Sequence, residues 1–161
     1  MSNADQLEIA LWTLLATALG SLIGAEREYR GHEVGIRTSG LVAGAAAIFG
    51  QVSAQYGEGD RVAAGVVQGI GFLGAGLIFH RRGAVAGATT AATVWLVAGI
   101  GLLTAAELWL TATLLTAIAV LLLELAPVSN WIYRMGRQKR GNDASIQEDP
   151  PERDFRSRQE P

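Results

Sequence analysis

The stretch Gly69-Ile70-Gly71-Phe72-Leu73-Gly74-Ala75-Gly76 places four glycines in eight residues of a long apolar run. Its letters match a dinucleotide-binding fingerprint, but such a loop follows a strand and has an acidic ribose partner about twenty residues later. Here Val66 and Val67 precede the glycines, and the next acidic residue downstream is Glu107. The stretch therefore predicts a membrane helix with a small-residue face that another helix can approach closely.

The composition points to the same class of protein. Half of the 161 residues are hydrophobic and 17% are charged, whereas roughly a quarter are charged in ordinary soluble domains. The charges cluster, and the apolar runs between them are near the roughly 20 residues that a spanning helix needs. We predict an all-α polytopic bundle of about five transmembrane helices, at residues 7–25, 38–56, 62–80, 86–104 and 106–126.

Nothing between these spans is long enough for a second domain, so we predict one transmembrane domain at residues 1–133. Residues 134–161 are polar and lack an apolar period, which predicts a disordered cytoplasmic tail. The chain has no cysteine, which excludes disulfides and thiolate metal sites. Asp5 and Glu8 precede the first apolar run without a basic region, so we expect a retained span rather than a cleaved signal.

The basic residues near the span ends fall almost entirely on one side of the predicted bundle. They are Arg27, Arg30, Arg37, Arg81, Arg82, Arg134, Arg137, Lys139 and Arg140, and Arg61 alone falls on the opposite side. By the positive-inside rule, this asymmetry predicts an amino terminus outside and a carboxyl terminus in the cytoplasm.

The segment from Glu26 to Arg37 is predicted to form the first cytoplasmic loop, in which three acidic residues balance three arginines. One interpretation is a solvated hairpin whose exposed ion pairs contribute little to stability. The other is a polar cluster of Glu26, Arg30 and Arg37 at the mouth of the bundle, able to hold an ion or a partner protein.

Small residues recur at helical spacing. In the first span Gly20 and Gly24 predict close helix packing. In the third span one face carries Gly65, Gly69, Phe72 and Gly76, and an adjacent face carries Gly71 and Gly74. These faces can seat two neighbouring helices, or they can leave an irregular backbone that lines a site.

Threonines mark the fourth span, where Thr89 and Thr93 share a face. Each hydroxyl can bond the preceding turn of its own helix, or the two can form a hydroxyl-lined patch facing the glycines of the third span.

The residues favour a non-enzymatic function. The chain lacks cysteine, a repeated histidine motif and a deep acid pair, so we expect no catalytic site. We also expect no cofactor and no nucleic-acid partner. Magnesium prefers oxygen ligands, yet no Asp or Glu lies near the middle of a predicted span. Ion conduction would therefore rely on backbone carbonyls, Gln and Thr, or on several subunits. The other class is a regulator whose glycine-lined bundle docks on another membrane complex.

The chain resembles the MgtC/SapB family of bacterial membrane proteins. The resemblance covers roughly residues 15 to 125 and rests on five segments: Leu22-Ile23-Gly24-Ala25-Glu26-Arg27 with Arg30, Gly35-Ile36-Arg37-Thr38, Asp60-Arg61-Val62-Ala63-Ala64, the glycine stretch quoted above, and Thr89-Thr90-Ala91-Ala92-Thr93-Val94-Trp95. The candidate functional or packing residues within these segments are Glu26, Arg27, Arg30, Arg37, Thr38, Asp60, Gly69, Gly71, Gly74, Gly76, Thr89, Thr90 and Thr93.

The resemblance implies a multi-pass protein of the bacterial inner membrane, linked to growth under low magnesium and, in pathogens, to survival inside host cells. Ser39 stands where many members have His, and the short tail lacks the namesake's folded carboxy-terminal domain, so the chain is similar to the shorter, SapB-like branch. By this resemblance we expect regulation of another membrane complex, such as ATP synthase, or of magnesium homeostasis through helix contacts. A magnesium or other cation transporter and a homo-oligomeric scaffold are the alternatives.

Overall fold

The computed structural model describes residues 2–81 and 84–125, which form five α-helices and one β-hairpin. The helices are α1 (Asn3–Tyr29), α2 (Ile36–Gln55), α3 (Gly59–Gly76), α4 (Ala88–Ala105) and α5 (Trp109–Glu124). Between α3 and α4, β1 (Phe79–Arg81) pairs antiparallel with β2 (Ala84–Ala86). The tail predicted at residues 134–161 lies outside the described residues.

The predicted helical architecture is confirmed for the described residues. Within them, α1 and α4 are long and apolar enough to cross a membrane, and α5 is apolar but has only 16 residues. The other two helices are less apolar, because α2 is rich in glycine, alanine and serine and because Asp60 and Arg61 lie in the first turn of α3. The count of five spans and the orientation in the membrane stay predictions.

Two predicted boundaries are wrong. The first loop does not begin at Glu26, because α1 continues to Tyr29 and ends where Gly31 adopts a positive φ of 74°. The third span does not reach residue 80, because α3 ends at Gly76 and His80 lies in β1. The glycine content of α3 lowers its helix propensity and accounts for this early end.

Three helices end in the same Schellman motif, in which one residue adopts the left-handed conformation that favours glycine. That residue is Gly31 after α1, Gly57 after α2 and Glu107 after α4, with φ of 74°, 71° and 61°. At the end of α4, the Glu107 amide bonds the Thr104 carbonyl at 3.0 Å and the Leu108 amide bonds the Leu103 carbonyl at 2.9 Å. Glu107 therefore occupies a strained position that glycine fills in the other two helices.

We expect Glu107→Gly to raise the free energy of unfolding by about 0.5–1 kcal/mol. A side chain in the left-handed region costs about 1–2 kcal/mol, and the greater chain entropy of unfolded glycine offsets part of the gain. Equilibrium unfolding in mixed micelles measures the change, and Gly57→Glu is the matched control with an expected loss of similar size. A loss on Glu107→Gly would mean that the Glu107 carboxylate makes a stabilising contact larger than the strain.

The core surrounds α4, which packs against α1, α2 and α3. Its largest fully buried apolar side chains are Ile23 of α1 and Val97 and Ile100 of α4. Several buried hydroxyls bond within their own helices, as Thr104 Oγ1 does to the Gly101 carbonyl at 2.7 Å. This arrangement brings the amino end of α4 against the carboxyl end of α1, where the charged residues of the core lie.

Candidate functional site at the α1–α4 junction

A buried arginine joins the end of α1 to the start of α4. Arg27 is only 3% exposed, although arginine is almost never fully buried unless it is paired. Its Nη2 donates a 3.3 Å hydrogen bond to Thr90 Oγ1, which lies 63 positions further along the chain in the first turn of α4. We call Glu26, Arg27, Arg30 and Thr90 the arginine cluster.

Glu26 supplies the acidic group of the arginine cluster. Its side chain is 7% exposed, with Oε1 lying 2.7 Å from Arg30 Nε and Oε2 lying 4.0 Å from Arg27 Nη1. Glu26 and Arg30 meet because an i, i+4 spacing puts both on one helical face. Arg30 is 28% exposed and forms the solvent-facing edge of the cluster. Since the carboxylate lies closer to Arg30, it compensates the charge of the buried Arg27 only in part.

Polar atoms in the arginine cluster are incompletely satisfied. Arg27 Nε is buried without a hydrogen-bond partner, and the two carboxylate oxygens of Glu26 make ion pairs without hydrogen-bond geometry. Leaving a buried donor or acceptor unsatisfied costs about 1–3 kcal/mol. Ser39 of α2 also has a buried hydroxyl without a partner among the described residues. Such sites often accept a further ligand or mark a functional constraint.

The predicted cluster of Glu26, Arg30 and Arg37 needs a correction, because the structure brings only the first two together. Arg37 and Thr38 are exposed in the first turn of α2 and line a separate polar pocket of about 270 Å³. Glu28 closes the other side of that pocket, and its Oε2 accepts a 2.9 Å hydrogen bond from the Ile36 amide at the start of α2. The first turn of α2 therefore directs Arg37 away from the buried charges.

Most glycines of α3 have no neighbour within the described chain. Gly74 is buried, and a Cβ built there would lie 3.7 Å from the Cβ of Ala91 in α4. Phe72 is 83% exposed. No heavy atom beyond the helix itself lies within 4 Å of a Cβ built at Gly65, Gly69, Gly71 or Gly76. Of the two small faces predicted for α3, only the one at Gly74 seats a neighbouring helix.

An apolar groove of about 650 Å³ separates α2 from α3. Gly65 and Gly69 line it from α3, and the exposed side chains of Leu41 and Phe49 line it from α2. Asp60 is exposed in the first turn of α3. Its chain neighbour Arg61 is the charged residue that lines the groove. Gly69, the first residue of the glycine stretch, therefore lines an open groove and does not pack against another helix of the described chain.

The threonines of α4 have separate roles. Thr93 is buried, and its Oγ1 donates a 2.8 Å hydrogen bond to the Thr89 carbonyl, which is the self-bonded alternative predicted from the sequence. Thr89 is exposed, and the residue of α4 that contacts Gly74 is Ala91. The hydroxyl patch facing the glycines is therefore not formed, and Thr90 takes a different role as the partner of Arg27.

Carboxylates at the opposite end of the bundle do not form a metal centre. Asp5, Glu8 and Glu107 line a pocket of about 310 Å³ beside the buried Gln51. Within residues 2–81 and 84–125, however, no three His, Asp or Glu side chains converge in a geometry that could hold a metal ion. The described residues therefore assign no metal ligands.

The described residues form a glycine-packed helical bundle in which two helices are long and apolar enough to cross a membrane. Comparison with known proteins gives its family. The model of the MgtC family matches residues 13–130. The chain is 38% identical over 152 residues to an uncharacterised protein of Haemophilus influenzae, covering 86% of this chain and 64% of that protein. It is 49% identical over 92 residues to protein MgtC of Salmonella typhimurium, covering 56% and 40%.

A further relative is protein SrpB of Synechococcus elongatus, 39% identical over 127 residues that cover 68% of this chain and 69% of SrpB. The chain belongs to the MgtC family, and the resemblance drawn from its sequence is confirmed. It spans 64% of the Haemophilus protein and 40% of the Salmonella MgtC. No solved structure matches the chain.

Proposed function

We propose that this chain is a non-enzymatic, multi-pass protein of the bacterial inner membrane that regulates another membrane complex, and through it magnesium-linked homeostasis, by helix–helix contacts. The observation that carries the proposal is the open glycine face of α3. We define this face as Gly65, Gly69 and Gly76, where no neighbouring atom of the described chain lies within 4 Å of a Cβ built on the backbone.

Glycines elsewhere in the bundle are used for close helix contacts. A Cβ built at Gly20 of α1 would lie 2.6 Å from the Cβ of Ala43, and one built at Gly50 of α2 would lie 2.5 Å from the Cβ of Ala105. Association of helices in lipid depends on such close packing, because lipid tails are as apolar as the helices themselves. A helix from a partner would make the same use of the open face.

The open glycine face also has an energetic cost. Each glycine lowers helix stability by up to about 1 kcal/mol relative to alanine, and the glycines of this face gain no contact in return within the described chain. A partner helix would supply the missing contacts. The family resemblance suggests a membrane complex such as ATP synthase as the partner, with the arginine cluster on the cytoplasmic side.

We expect Gly69→Leu to reduce co-purification of ATP synthase subunits from native membranes by at least about fivefold, since a leucine side chain forced into a close helix contact costs about 1–3 kcal/mol. Gly99→Leu is the matched control, because Gly99 lies in α4 and also has no neighbour within 4 Å of a built Cβ. Equal thermal unfolding of the two variants excludes a folding defect. Unchanged co-purification with Gly69→Leu would contradict the proposal.

Two further measurements separate the alternatives. Crosslinking in native membranes that captures only copies of this chain, and that Gly69→Leu abolishes, would support the homo-oligomeric scaffold instead. A saturable magnesium flux into liposomes that contain the purified protein would overturn regulation in favour of transport.

A further inference from the structure

The groove between α2 and α3 is apolar along its length and carries a charged side chain at one end. The two helices meet at their connecting turn, where a Cβ built at Gly59 would lie 3.7 Å from the Ala54 Cα. Beyond that contact the groove has a volume of about 650 Å³, and among the described residues that line it Arg61 alone is polar. Binding sites for small molecules combine this size with apolar walls and a few polar groups.

The groove is about as long as one leaflet of a membrane is deep. Its lining residues on α3 run along one helical face from Arg61 to Leu73, which corresponds to roughly 18 Å at a rise of 1.5 Å per residue. Half of the hydrocarbon core of a bilayer is about 15 Å thick. An acyl chain that begins beside Arg61 therefore fits the groove, and the exposed side chains of Leu41 and Phe49 give it an apolar wall on α2.

The charged end of the groove carries both signs. Arg61 Nη1 lies 2.8 Å from Glu58 Oε2, but both side chains are exposed, so the pair is weak and the guanidinium keeps further donors for another acceptor. Asp60 is exposed and forms no ion pair within residues 2–81 and 84–125. Residues 58–61 therefore carry two carboxylates and one guanidinium, an excess of one negative charge. A headgroup with a phosphate and an ammonium complements both signs, whereas an anionic headgroup does not.

We propose that this groove binds a phospholipid with a primary ammonium in its headgroup, namely phosphatidylethanolamine. One acyl chain lies along Gly65 and Gly69, Arg61 donates hydrogen bonds to the phosphate, and the Asp60 carboxylate accepts hydrogen bonds from the ammonium. Phosphatidylcholine has no N–H to donate, and phosphatidylglycerol has no cation. Gly65 and Gly69 also belong to the open glycine face, so the lipid must leave before a partner helix docks. Only this displacement rests on the proposed function, and the lipid site itself does not.

The test uses the purified full chain in detergent and counts bound lipids by native mass spectrometry as phosphatidylethanolamine, phosphatidylcholine or phosphatidylglycerol is added. We expect one phosphatidylethanolamine per chain, bound at least about tenfold more tightly than the other two lipids, as one additional charge-assisted hydrogen bond predicts. Asp60→Asn should remove most of this preference, because the carboxylate charge is lost. Wild-type protein that binds the three lipids equally would overturn the proposal.

Two pairs of variants distinguish this site from general association with lipid. Arg61→Gln should weaken the binding of phosphatidylethanolamine by at least about tenfold. Its control is Arg37→Gln, because Arg37 is also an exposed arginine in the first turn of a helix but lines a separate pocket. Gly65→Leu should exclude the acyl chain, and its control is Gly71→Leu, because Gly71 lies in the same helix and does not line the groove.

Leucine has a higher helix propensity than glycine, so both glycine variants should fold. Arg61→Gln that binds the lipid as Arg37→Gln does, or Gly65→Leu that binds it as Gly71→Leu does, would overturn the lipid site. Because no partner complex is present in these measurements, such a failure leaves the co-purification expected for the regulatory function unaffected.

Discussion

Gly24→Ala is expected to lower the free energy of unfolding by about 3 kcal/mol. A Cβ at this position would lie 2.6 Å from the Gly35 carbonyl oxygen and 2.8 Å from the Ile36 Cα. Both are backbone atoms at the start of α2, so no side-chain rotation relieves the clash and the two helices must move apart. Overpacking costs about 1–3 kcal/mol where side chains can adjust, and here the rigid backbone places the effect at the upper end.

Separation of α1 from α2 would also weaken the next contact along the interface. At Gly20, one turn earlier, a built Cβ would lie 2.7 Å from the Ser39 carbonyl oxygen. The matched control is Gly65→Ala in α3, where nothing lies within 4 Å of the new carbon. There we expect no loss, or a gain of up to about 1 kcal/mol from the higher helix propensity of alanine.

Equilibrium unfolding of the wild type and the two variants in mixed micelles measures the difference. The same stability for Gly24→Ala and Gly65→Ala would contradict the prediction and would mean that α1 and α2 lie further apart than these contacts require.

The glycines of α1 and α3 show how far the sequence predicts the packing. The spacing of Gly20 and Gly24 predicts close approach, and both lie at the α1–α2 contact. Gly65 and Gly69 of α3 have the same spacing, yet among the glycines from Gly65 to Gly76 only Gly74 meets a neighbouring helix in the described chain. Small-residue spacing is a local property of one helix, whereas the presence of a partner depends on the tertiary arrangement. The sequence therefore predicts a face suited to packing without predicting what packs there.

The arginine cluster is only partly predictable for the same reason. The i, i+4 spacing of Glu26 and Arg30 is a local signal, and they are paired. The burial of Arg27 depends on Thr90, which is 63 positions away. The density of charge predicts that the first helix ends near Glu26, but Gly31 sets its actual end. The β-hairpin is not predicted from the sequence, because a short apolar run such as that around residue 79 is compatible with a strand as well as with a helix.

A second large effect is expected at Glu26, where Glu26→Gln should lower the free energy of unfolding by about 3 kcal/mol. Removing the acid of a buried ion pair leaves a buried positive charge, here that of Arg27, poorly compensated, and such losses cost about 3–5 kcal/mol. The lower end applies because Arg30 is 28% exposed and can still be solvated, whereas Arg27 is buried beside it. The loss should change little with salt, since buried pairs are weakly screened.

Glu58→Gln is the matched control. Glu58 Oε2 lies 2.8 Å from Arg61 Nη1, nearly the separation of the Glu26–Arg30 pair, but the Arg61 and Glu58 side chains are both exposed. An exposed pair contributes about 0–1 kcal/mol and is screened by salt. Chemical unfolding at low and high salt distinguishes the two cases. Equal losses for both variants would contradict the prediction, because burial would then make no difference to the Glu26 carboxylate.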